Sequence, residues 1–255
     1  MTKASEKRKE AVPTETDFLD ERSGEGFEGV KSVLPRIKIL HFTSPPVPEE
    51  NPEHVEGAKA GMFFNTVTKK VYGKTLEMIP IKALSVWLEW APQDLGGGFR
   101  GRRAPGSIPV TGDMYRKMFT NEGNEIKEAL EIYGIIPDEL DQGLVLLSLS
   151  GASIKHGINW STKIGTVRLP SGKIEPFFGS VWELVLCLNK NAMGQYYTLG
   201  VQNKTTVEWV RFIRREEWEK IVSPAVEFCS NLQKMLSGGT GGPQAALPAP
   251  DDSEY

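Results

Sequence analysis

Two cysteines, three histidines and no apolar run near the length of a membrane span narrow the possibilities before any motif is sought. Cys187 and Cys229 cannot build the disulfide framework of a small secreted domain. The apolar stretches fall well short of the ~20 residues that crossing a bilayer requires, so no membrane association is expected. Residues 1–10 are polar and of mixed charge, without the apolar core of an export signal, which points to the cytoplasm. His41, His54 and His156 stand far apart and outside any zinc-ligand spacing. No P-loop and no G-x-S-x-G elbow occurs. The expectation is therefore a non-enzymatic protein with no cofactor and no metal.

Two matches to the dinucleotide pattern G-x-G-x-x-G fail on context. Gly24-Glu-Gly-Phe-Glu-Gly29 follows no strand and sets Glu25 and Glu28 where a pyrophosphate would lie. Gly96-Gly-Gly-Phe-Arg-Gly101 follows a strand, but Pro105, Gly106 and Pro109 bar the helix that must come next.

What is present is unevenly distributed. The net charge is −3, yet residues 1–30 carry eight acids against five bases, and residues 237–255 carry three acids and no base. The segment 31–236 is therefore mildly basic, at +3. Residues 1–30 lack apolar periodicity and read as a disordered arm. Ser237-Gly-Gly-Thr-Gly-Gly-Pro243 is a flexible linker by composition, leading to Asp251, Asp252, Glu254 and Tyr255. Two readings of that tail stand: a solvating end, or a peptide that docks on partners or competes with nucleic acid for a basic groove.

Between the ends the pattern is mostly that of strands. Arg36 and Lys38 alternate with Ile37 and Ile39, as in a half-buried strand within 33–42. Residues 61–65 and 71–72 flank Thr66-Val-Thr-Lys-Lys70 as a hairpin, and 76–90 reads as one long, bent strand. Residues 143–149 form a short apolar strand. Residues 175–188 and 195–201 form a second hairpin, and the Pro-rich 44–52 is a loop. Helices are expected at 124–133, 153–164 and, most clearly, 214–236, where Pro224 interrupts the stripe. Five or six strands with one capping helix suit a small closed barrel.

One segment carries a chemical suggestion. Between Trp90 and Phe119 stand Arg100, Arg102, Arg103, Arg116 and Lys117, interleaved with Phe99 and Tyr115. Arginines neutralise phosphate and stack on bases, and aromatic rings offer faces to unpaired bases. The same composition also suits a surface loop solubilised by arginine. Trp160 beside Lys155 and Lys163 repeats the combination, although most of the six tryptophans are expected in the core.

Three stretches resemble a family of phage single-stranded DNA-binding proteins with an OB-fold and an acidic C-terminal tail. They are Leu34-Pro-Arg-Ile-Lys-Ile-Leu40; Ala60-Gly-Met-Phe-Phe-Asn-Thr-Val-Thr-Lys-Lys-Val-Tyr-Gly-Lys74 with Leu76-Glu-Met-Ile-Pro-Ile81 and Trp90; and Leu144-Val-Leu-Leu-Ser-Leu-Ser150 with Ser153, Lys155 and Gly194-Gln-Tyr-Tyr197. The chain departs from that family in having few lysines around Trp160 and in its 101–142 segment. The resemblance implies a mainly β, OB-fold-like small barrel over 31–236 with an insertion, a C-terminal helix and disordered tails. It implies binding of single-stranded DNA, and also of double-stranded DNA as an open alternative, during phage replication or recombination in the host cytoplasm. Arg100, Arg102, Arg103, Lys155 and Lys163 would contact phosphate, while Trp90, Phe99 and Trp160 would stack on bases. The tail, through Asp251, Asp252, Glu254 and Tyr255, would recruit replication or recombination proteins, and self-association is compatible with all of this. A structural or adaptor protein of a phage particle is the rival reading, and a small nuclease a third.

Overall fold

The computed structural model describes residues 34–92, 97–112, 117–192, 194–199 and 207–237. The arm at 1–30, Asp94, Asp113, Tyr115, Arg116 and the acidic tail lie outside them.

The described chain is mostly strand, organised as a strongly curled half-barrel sheet with a C-terminal helix. Twelve strands occur among the described residues. In chain order they are β1 (Arg36–Ile39), β2 (Phe63–Asn65), β3 (Val71–Gly73), β4 (Thr75–Trp90), β5 (Phe99–Arg103) and β6 (Val110–Gly112). Then come β7 (Met118–Thr120), β8 (Glu125–Ile135), β9 (Leu144–Ser150), β10 (Ser180–Asn191), β11 (Gly194–Leu199) and β12 (Val207–Phe212). The main path runs β11-β10-β4-β8-β9-β1-β2-β3, with β12 on β10, β5 on β4, and the β6–β7 pair on β8. The β1–β9 pair is parallel and the other described pairs are antiparallel.

The β4–β8 ladder is the spine, running from Ile79 opposite Ile135 to Trp90 opposite Glu125. Pro80 sits inside β4, where it has no N–H to give to the ladder; the register shifts between Pro80 and Lys82, and a bulge is where a proline can be held in a central strand. The extra residue also exchanges the faces. Leu76 and Met78 join one core before the bulge, and Ala83 joins that same core after it, while Ile79 and Ile81 are followed by Leu84 on the other side. Opposite the bulge Gly134 lets the strands close, since a Cβ there would stand 2.8 Å from the Ile79 carbonyl oxygen and from the Met78 side chain.

Residues 124–133, expected as a helix, are instead most of β8. Lys-Glu-Ala-Leu-Glu are good helix formers, but pairing to β4 on one side and β9 on the other overrides local preference. Ile126, Leu130 and Ile132 on one face, and Ala129, Tyr133 and Ile135 on the other, are all buried. The expected count of five or six strands is also exceeded, because strands as short as β5 (five residues), β6 and β7 (three each) carry too little local pattern to be read.

Helices cover both faces. The capping helix Ile154–Ile164 buries Gly157, Trp160 and Ile164. A Cβ on Gly157 would meet Leu130 Cδ2 and Leu149 Cδ1 at 2.6 Å, so the glycine is what allows the helix to lie this close to β8 and β9. On the other face the C-terminal helix begins at Arg215–Glu217, widens to a π-turn over Trp218–Val222 and continues as Ser223–Ser237. Pro224 can neither donate to the Lys220 carbonyl nor fit its ring against it, and the widened turn directly before it relieves both problems. Val222, Ala225 and Cys229 from this helix pack on Ile79, Ile81, Tyr133 and Ile135. Burial pushes the Cys229 thiol up to about 12, leaving it unreactive at neutral pH.

The β2–β3 turn is built by Asn65, as its position in the sequence suggests. Its buried side-chain oxygen accepts hydrogen bonds from the backbone N–H groups of Val67 (3.0 Å) and Thr68 (3.2 Å), and its amide donates to Gln142 Oε1 (2.9 Å).

Candidate nucleic-acid interface

The arginine-rich segment is a strand rather than a loop. β5 pairs with the end of β4, placing Arg102 opposite Leu88 and Arg103 opposite Trp87, on opposite faces. Arg102 Nε donates to Glu131 Oε1 at 2.7 Å, and the side chains of the two residues are 5% and 1% exposed. Tyr133 Oη donates to the other Glu131 oxygen at 2.8 Å. Burial and then the neighbouring Glu131 push the Tyr133 phenol far above its ordinary range, so it remains a donor at every physiological pH. On the opposite face Arg103 Nε donates to the buried Glu89, whose second oxygen accepts from Asn124 Nδ2 at 2.6 Å. Two of the three arginines expected to meet phosphate are thus already matched to buried carboxylates. Arg100 is exposed, at the bulge where the register shifts between Glu89 and Trp90.

The rings at this β4–β5 end of the sheet, an arm distinct from the N-terminal one, form a small stack with cations on it. Trp90 and Phe99 meet edge to face, with centroids 5.3 Å apart. The Arg102 guanidinium lies over Phe99 at 5.4 Å and the Lys127 ammonium over Trp90 at 5.7 Å. Phe99 is half-buried and Trp90 is buried, so of the two it is Phe99 that reaches solvent.

The capping helix separates its candidates. Lys155 is exposed on the first turn, and Lys163 is half-buried with its ammonium 5.8 Å from the centre of the Trp182 ring. Trp160 is a core residue at 2% exposure, packed beneath the helix and not offered to a base, which corrects the expectation from its basic neighbours. The signal for this was the Gly157, Trp160, Ile164 spacing, which places all three on one helical face. Burial, then the charge on Lys155, lower the His156 pKa.

A third region excludes itself. An open cleft of about 280 Å³ is lined by Glu77, Asp138, Glu139 and Glu183 with Lys70 and Tyr72. Glu139 already holds Lys70, the Tyr72 hydroxyl (2.6 Å) and Gln142, and burial together with Glu139 pushes Tyr72 up to about 12. A cleft with this excess of carboxylates repels a phosphate chain. Sequence reasoning also passed over Phe42, 50% exposed, and Tyr197, half-buried beside it with ring centroids 5.8 Å apart. The two are 155 residues apart in sequence, and only the fold joins them.

Residues 6–234 match the family described as Pam3 phage gp34-like protein. The chain belongs to that family. This makes it a phage-type protein, and the match takes in the β4–β5 arm, the capping helix and most of the C-terminal helix while leaving the acidic tail outside. No curated protein and no solved structure matches the chain. Among the described residues no helix is long and apolar enough to cross a membrane.

Proposed function

We propose that this Pam3 phage gp34-like family member binds single-stranded DNA without sequence preference during phage DNA replication or recombination, and does so without catalysis. The observation that carries the reading is the arm. Phe99 and Trp90 form a ring pair crossed by two cations, with the exposed Arg100 beside it, which is the combination that binds unpaired nucleic acid by stacking and phosphate neutralisation. Arg100, Lys155 and Lys163 take the phosphate contacts and Phe99 the base contact. Arg102 and Arg103 hold the strand that presents them. The acidic tail, through Asp251, Asp252, Glu254 and Tyr255, recruits partner proteins.

The test is fluorescence anisotropy of a labelled oligothymidine titrated with the protein at several salt concentrations. Binding that weakens steeply with salt is expected, and Arg100→Ala should lower the slope of log K against log salt by about one contact. Absence of binding at low salt, to the single strand and to a duplex control, would overturn the proposal and leave a structural role in the phage particle as the reading to pursue.

A further inference from the structure

We infer that the corner formed by Phe42 and Tyr197 is a second base-stacking subsite for single-stranded DNA, with Lys155 and Lys190 taking the adjoining phosphates. The inference rests on the DNA-binding reading above, and adds a site far from the arm in sequence.

Phe42 leaves half its surface in water, although burying such a ring favours the folded state. Its backbone frame is fixed. The His41 N–H donates to Ser44 Oγ (2.8 Å), the Ser44 N–H returns to the His41 carbonyl (3.1 Å), and the residue before them is tied on both sides, Leu40 N–H to Met62 O (2.9 Å) and Gly61 N–H to Leu40 O (2.7 Å). A ring on so tied a turn is presented at little further cost in entropy when a ligand arrives.

Tyr197 backs it. Gly61, at φ +80°, lies against the Tyr197 ring so closely that a Cβ would stand 2.3 Å from it. The glycine seats the tyrosine on the β1–β2 connection and brings it to the phenylalanine, which it meets at a 39° tilt. Leu188 stands directly opposite Tyr197 across the β10–β11 ladder and is 48% exposed. Two residues further along the same face of β10 comes Lys190, exposed and opposite Gln195. The turn Gly151–Ser153 and the capping helix both pack against β11, and Lys155 is exposed on the first turn of that helix. Neither lysine makes an ion pair among the described residues. Rings beside cations that make no ion pair among the described residues suit an unpaired base and its phosphates better than an apolar peptide, since a flat π-face needs no sequence-specific partner.

The full-length protein and three variants, Phe42→Ala, Phe42→Leu and Phe42→Trp, would be titrated with oligothymidine and with an abasic strand of equal length. Stacking is worth about 1–3 kcal/mol per base, so Phe42→Ala and Phe42→Leu should each weaken oligothymidine binding by about 5- to 150-fold. Their salt slope should not change, abasic binding should be unaffected, and Phe42→Trp should bind at least as well as the parent. Phe42→Leu keeps the apolar bulk and removes the π-face, so normal binding by that variant would overturn stacking. Unchanged binding by Phe42→Ala alongside weakened binding by Arg100→Ala would remove the corner while leaving the DNA reading intact. No binding by the parent protein would remove both.

Discussion

The arm and the corner are both mixtures of rings and cations, but they spend their charge in opposite ways. On the arm two of the three arginines are turned inward: Arg102 meets Glu131 and Arg103 meets Glu89, each carboxylate almost wholly buried. At the corner Lys155 and Lys190 are exposed and make no ion pair among the described residues. The denser cluster in the sequence therefore has less charge to offer a ligand than its composition suggests. Local charge density counts the bases in a segment, whereas available charge depends on acids brought by other strands, here from 14 and 29 residues away.

The largest way to test this contrast is to cut an inward pair. Arg102→Ala leaves Glu131 buried beside Tyr133 without its cation, and chemical denaturation should show a loss of about 3–5 kcal/mol. Replacing both partners together, Arg102→Met with Glu131→Leu, should recover most of that loss. Recovery would show that the pair holds a charge balance and is not indispensable to the strand.

Arg211 and Glu217 give the inward type a pH signature. The Arg211 guanidinium donates twice to Glu217, at 2.7 and 2.9 Å, and the Arg214 N–H donates once at 2.7 Å. These bonds, the one from Arg211 foremost, hold the carboxyl down at about 2 against an ordinary 4.5. A carboxylate depressed on folding contributes stability that is complete above the unfolded value and is lost as pH falls through the folded one. Between pH 5 and 2 thermal unfolding should therefore lose a component on the order of 2–3 kcal/mol, and Glu217→Gln should flatten the curve in that window.

At the corner the corresponding stability effect is one of packing. Gly61→Ala drives a methyl into the Tyr197 ring in a backbone region that L-residues avoid, and should cost about 1–3 kcal/mol in denaturation. Smallest of all, Lys190→Gln should shift stability by less than about 0.5 kcal/mol while reducing the salt slope of DNA binding. A large stability loss there would mean that the lysine is held in place after all.

Much of the fold was legible because its causes are local. The Asn65 turn, the β2–β3 hairpin, the bent β4, the β10–β11 hairpin and the capping helix each follow from residues within a few positions of one another. The interruption at Pro224 was legible too, and it takes the form of a widened turn within a continued helix. β8 was misread because its helix-forming composition competes with two neighbouring strands that local pattern cannot see. β5 is extended only because β4 is beside it; Phe-Arg-Gly-Arg-Arg alone has no reason to be a strand. Of the expected contacts, Arg100 and Lys155 are open to solvent and Phe99 and Lys163 are partly so, whereas Trp90 and Trp160 are buried. The Phe42–Tyr197 pair was illegible, since neither residue has a neighbour in sequence that predicts the other.

The parallel β1–β9 pair sets a timetable for synthesis. Arg36 waits for Leu146, which leaves the ribosome 110 residues later. At translation rates of about 5–20 residues per second, that is roughly 5–20 s during which β1 can pair only with β2 and keeps one edge open. Such an edge is a template for other strands. The nascent chain is most exposed to aggregation in that interval, and it ends when β9 slots between β8 and β1 and joins the two halves of the sheet.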